Sequence, residues 1–126
     1  MFNSIVLFKR LYIKVRTLKR RIFYNIKFTN NIIIDPSTWI ANKSTIRNDL
    51  KGEIIIGKNC EIHNFSMILS YGGKIKIGDN CSLNPFSIIY GHGGIIIGNG
   101  VRIAAHTVII PSNHNFGDIT IPIHKS

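Results

Sequence analysis

The chain has 126 residues, is 44% hydrophobic and carries a formal charge of +10, enough for one domain with an apolar core. Eight of the sixteen Lys and Arg precede Phe28, no acid precedes Asp35, and the eight basic and six acidic residues after Lys27 leave a balance near +2. The charge therefore describes a terminal segment and not the body. The apolar opening is cut at Lys9, far short of the roughly 20 residues a membrane span needs, and its order, apolar before basic, is the reverse of a secretory signal. A cytoplasmic protein is the expectation.

Residues 1–28 read as a basic amphipathic helix, because Leu7, Leu11, Val15, Leu18, Ile22 and Ile26 return at intervals of three and four with basic residues largely between them. Such a helix can lie at the inner face of an anionic membrane, apolar side down, or cover the open end of whatever follows. No nucleic-acid reading motif accompanies it, so a nucleic-acid partner is not expected. Asn30, Asn31 and the Asp35-Pro36 pair then punctuate the chain.

From about residue 29 to 114 one phrase is written three times: IIIGKNCEIHNFS at 54–66, KIKIGDNCSLNPFS at 74–87 and IIIGNGVRIAAHT at 95–107. An aliphatic residue returns every six positions: Ile56, Ile62, Ile68; Ile77, Leu83, Ile89; Ile97, Ile103, Ile109; with a fainter first set at Ile34, Ile40 and Ile46. That period fits neither an amphipathic helix nor an alternating strand. It fits about four coils, each of three short strands turning one aliphatic side chain into a triangular prism. Coil starts at 34, 56, 77 and 97 leave a few residues beyond three hexads, placed at 48–51, 72–74 and 93–94, one above another.

The position four after each aliphatic residue is small (Thr38, Ser44, Cys60, Ser66, Gly72, Cys81, Ser87, Gly93, Val101, Thr107), as a tight interior requires, with Leu50 and Asn113 as exceptions. Cys60 and Cys81 share a slot in successive repeats and read as reduced core residues, too few for a zinc site. Gly57, Gly78 and Gly98 are expected to relieve backbone strain at a turn. Residues 115–126 lose the rhythm and read as an extended tail.

The segment IGDNCSLNPFSIIYGHGGIIIGNGVRIAAHTVIIPSNHNFGDITIPI resembles the hexapeptide-repeat acyltransferases, especially the polysaccharide O-acetyltransferases similar to galactoside and maltose acetyltransferases, over roughly residues 34–123. The resemblance implies an all-β, left-handed parallel β-helix, a homotrimer, and acetyl-CoA as donor to a sugar or lipid-linked glycan hydroxyl in surface polysaccharide biosynthesis. VIIPSNH carries the family's catalytic histidine onto His114. The SYG turn puts an acceptor contact on Ser70, Asn84 matches a residue near the acetyl group and acceptor, and Ala104 matches a backbone contact to the cofactor. His92 stands where relatives often hold the acceptor with an acid. Family members run on for further coils, which implies a fragment or a truncated relative.

The residues support that chemistry on their own terms. Moving an acyl group from a thioester to an alcohol needs a base, and an imidazole with an ordinary pKa of about 6.5 suits that task at neutral pH. An amide such as that of Asn84 can donate to the developing oxyanion. The thioester is already activated, so a covalent intermediate is not required, and no serine-nucleophile motif is visible. No metal is expected. Two other readings stand beside this one: a non-catalytic β-helix scaffold, and a metal enzyme of carbonic-anhydrase type using His92, His106 and His114. His63 reads as outward-facing on a strand, and Asn64 as lying beneath Asn84 in a stack of turn asparagines.

Overall fold

The computed structural model describes residues 31–114 together with Gly117, Thr120 and Pro122. The basic helix expected over 1–28 and most of the tail expected over 115–126 lie outside the described residues.

Among the described residues twelve short strands wind into a parallel β-helix of four coils. The first sheet stacks β1 (Ile32–Ile34), β4 (Glu53–Ile56), β7 (Lys74–Ile77) and β10 (Ile95–Ile97). The second stacks β2 (Trp39–Ile40), β5 (Glu61–Ile62), β8 (Ser82–Leu83) and β11 (Arg102–Ile103). The third stacks β3 (Thr45–Arg47), β6 (Met67–Leu69), β9 (Ile88–Tyr90) and β12 (Val108–Ile109). Every pairing is parallel, and the register aligns the six-residue series into columns: Ile34–Ile56–Ile77–Ile97, Ile40–Ile62–Leu83–Ile103 and Ile46–Ile68–Ile89–Ile109. These side chains fill the prism, and each fully buried one stabilises it by about 1.5–3 kcal/mol. A one-residue slip would turn a whole strand's set outward, so the columns also lock the register.

Three turn stacks join the sheets. The first corner holds residues 35–38, 57–60, 78–81 and 98–101; the second 41–44, 63–66, 84–87 and 104–107; the third 48–52, 70–73, 91–94 and 111–114. At the first two corners the small residues Thr38, Ser44, Cys60, Ser66, Cys81 and Ser87 are buried as their spacing predicts, whereas in the last described coil Val101 is exposed and Thr107 only half-buried. At the third the spacing rule fails. Gly72 and Gly93 lie on an exposed outer turn, as do Leu50 and Asn113. That corner carries the extra residues, so a four-residue step lands in the projection instead of the interior. The small inward groups there come two residues after the aliphatic one: Asn48, Ser70 and Gly91 are all buried.

The glycine expectation also needs correcting. Gly57, Gly78 and Gly98 do not adopt positive φ; in that corner Asn59 (51°), Asn80 (57°) and Gly100 (72°) do. Gly57 and Gly78 are glycine because the next coil comes close: a Cβ would meet Asp79 Oδ1 above Gly57 and Asn99 Oδ1 above Gly78. Those oxygens accept hydrogen bonds from the backbone N–H of Lys58 (2.7 Å) and Asp79 (2.8 Å). Cys60 and Cys81 are free and buried, and each thiol donates to a carbonyl of the coil above, Gly78 O and Gly98 O, at 3.1 Å.

Candidate functional site

The site grows from the third corner, where the outward residues of successive coils form a column. Arg47, paired to Asp49 at 2.5 Å, lies over the Tyr71 ring at 5.8 Å and donates to its hydroxyl at 3.4 Å. Tyr71 stacks on Tyr90 with centroids 5.6 Å apart. Both rings flank the His92 imidazole, at 6.4 and 6.2 Å. One coil further on, Ser112 Oγ lies 2.5 Å from His92 Nε2. The column ends in a cleft of about 520 Å³ lined by Tyr90, His92, Ile110, Ser112, Asn113 and His114.

The placement follows from the local sequence. Ile89 and Ile109 pair across β9 and β12, which sets Tyr90 beneath Ile110 and His92 beneath Ser112. Gly93 lets the coils close up, since a Cβ there would sit 2.7 Å from the carbonyl oxygen of Pro111. Asn113 Oδ1 accepts from the backbone N–H of His114 at 3.0 Å. That bond occupies the oxygen of the Asn113 amide and leaves its Nδ2 as the donor end. Both imidazoles are exposed to the cleft, and among the described residues no carboxylate lines it. The site can accept protons at two imidazoles, donate from an amide and present an apolar wall.

His92 and His114, two of the residues singled out in the sequence, thus meet in one cleft. The others do not join them. Ser70 is fully buried: its hydroxyl donates to Asn48 Oδ1 at 2.7 Å and also lies 3.1 Å from Asp49 O. It holds the third corner from inside, with no face for an acceptor; in the SYG turn Tyr71 is half-buried and Gly72 is exposed. Asn84 sits at the second corner, half-buried, its Nδ2 donating to Ile103 O at 2.7 Å. His63, not Asn64, lies beneath Asn84; Asn64 Oδ1 instead accepts from the backbone N–H of Lys43 at 3.2 Å. Ala104 is exposed at the same corner, one coil above Asn84.

His106 is also at the second corner, stacked on Phe86 at 5.1 Å, and Phe86 stacks on Phe65 at 5.0 Å. It is therefore apart from His92 and His114 within one chain. Among the described residues no group of three or more His, Cys, Asp or Glu could hold a metal ion. His63 is half-buried beside Trp39, ring centroids 5.2 Å apart, with Glu61 Oε2 at 3.4 Å from its Nε2.

Sequence reasoning missed Ser112, Asn113, Tyr71 and Tyr90. The signal that could have found them is the coil length. Tyr71, His92 and Ser112 are separated by 21 and 20 residues, one turn of the prism each. No family model, curated protein or solved structure matches the chain.

Proposed function

We propose that the protein is an acyltransferase that moves an acetyl group from acetyl-CoA to a sugar hydroxyl in surface polysaccharide biosynthesis, on a β-helix of left hand assembled as a homotrimer. The observation that carries this reading is the cleft at the third corner, where His114 faces open space beside His92. His114 is the general base: it takes the proton of the acceptor hydroxyl as that oxygen attacks the thioester carbonyl, and the thiolate of CoA leaves. His92 contacts the acceptor.

Asn84 and Ala104 belong to the same reaction but stand at a different corner from His114. A donor held by the second corner of one protomer can reach the base on the third corner of its neighbour, which is the geometric reason for an assembly of copies. The amide of Asn84 keeps one N–H for the thioester oxygen while the other donates to Ile103 O.

The test measures CoA release with a panel of sugar acceptors for the wild type and His114→Ala. A general base contributes about a hundred- to ten-thousand-fold, so a rate loss in that range is expected. Equal rates in the two proteins would remove His114 from the mechanism.

A further inference from the structure

Serine and histidine meet in the cleft in an arrangement that direct transfer leaves unused. Ser112 Oγ is within hydrogen-bond reach of His92 Nε2, the relation a hydroxyl nucleophile needs to its base. The same imidazole lies beside the Tyr71 and Tyr90 rings. The Asn113 amide, its oxygen engaged by His114 N–H, keeps its Nδ2–H as a donor in the same cleft. A second imidazole, His114, lines the same space. Nucleophile, base, oxyanion donor and a further base are therefore drawn from four of the cleft's lining residues.

We propose that Ser112 and His92 form a nucleophile–base pair that takes an acyl group from an activated ester or thioester onto Ser112 Oγ. The proposal rests on reading this cleft as an acyl-transfer site; it replaces direct attack on the thioester with a covalent carrier and moves His92 from the acceptor to the serine. In the first half-reaction the Ser112 hydroxyl proton passes to His92 Nε2 as the Oγ–carbonyl bond forms. The bond to the leaving thiolate or alkoxide then breaks, and the His92 proton goes to that leaving group. In the second, an acceptor hydroxyl or water gives its proton to His114 while its oxygen attacks the acyl carbon. The carbonyl–Oγ bond breaks, and Ser112 Oγ recovers a proton from the cleft imidazoles. The two histidines divide the work: His92 serves the serine, His114 the acceptor. The pair is invisible to a linear motif because its members lie one coil apart.

The experiment treats the full chain with p-nitrophenyl acetate and with a fluorophosphonate, and maps the modified peptide by mass spectrometry. Ser112 is expected to carry the label before any other serine. Ser112→Ala abolishes it, and His92→Ala slows it by about a hundredfold or more with unchanged far-ultraviolet circular dichroism. An unlabelled Ser112, or a labelling rate indifferent to His92→Ala, overturns the proposal. Acetyl-CoA-dependent transfer to sugars is followed separately in the same proteins. Its absence beside an intact Ser112 label refutes the donor and acceptor assignment and leaves the pair standing; undiminished transfer in Ser112→Ala refutes the pair as acyl carrier.

Discussion

Two glycines in the same slot, one coil apart, separate a backbone requirement from a packing one. Gly78 and Gly98 both start the first corner, and neither has positive φ. A Cβ on Gly78 would lie 2.9 Å from the backbone nitrogen of Asn99 and from the carbonyl carbon of Gly98, and closer still to Asn99 Oδ1. The Asn99 side chain can swing away, at the loss of its bond from Asp79 N–H, about 0.5–1.5 kcal/mol. The backbone atoms cannot, and spreading two packed coils costs about 1–3 kcal/mol. Restricting the unfolded chain returns about 0.4–1 kcal/mol. Gly78→Ala is therefore expected to destabilise by about 1–3 kcal/mol. A Cβ on Gly98 meets nothing within 4 Å, so only the unfolded-chain effect remains and Gly98→Ala should stabilise by about 0.4–1 kcal/mol. Urea unfolding followed by circular dichroism, with equal slopes for the variants, reads the difference. Equal losses in both variants would mean that this slot demands glycine for its conformation, and the stacking argument would fall.

The second-corner ring stack makes a related prediction. Phe86 holds φ of 63° between Phe65 and His106, so Phe86→Ala loses two ring pairs of about 0.5–1.5 kcal/mol each, whereas Phe86→Gly loses the same pairs but recovers about 1 kcal/mol of left-handed backbone cost. The glycine variant should therefore melt above the alanine one, and the opposite order would show that the rings do not hold the backbone there. A last prediction concerns Cys60, whose thiol is pushed up from its ordinary 9.0 chiefly by burial. Above that pH the unfolded chain releases this proton while the folded one retains it, so stability is complete below about pH 9 and falls as pH rises toward the folded value. Cys60→Ala should lose less stability than the wild type across that range in urea titrations at stepped pH, and parallel curves would contradict the assignment.

Most of the coil architecture can be read from the sequence because six-residue spacing is a direct image of a three-sided prism. Ile34 to Ile109 fall into columns as their spacing demands. The failures cluster at the third corner, where extra residues break the period. Ser70 and Gly72 exchange inner and outer roles there, and no count of hexads reveals that. Glycine at 57 and 78 is visible as a repeat, yet its reason is a neighbour 20 or more residues away. Ser112 is invisible for the same cause: its partner His92 lies within bonding distance only after a full turn. The hand of the helix is a further property that the spacing of residues does not encode.

The side-chain ladder of the first corner has a consequence for how change is tolerated. Asp79 and Asn99 each serve the backbone of the coil before their own, so damage is displaced. A lesion at position 99 injures the turn at 79, and one at 79 injures the turn at 58. Compensating replacements should accordingly be sought about a score of positions upstream of a defect, not among its immediate neighbours.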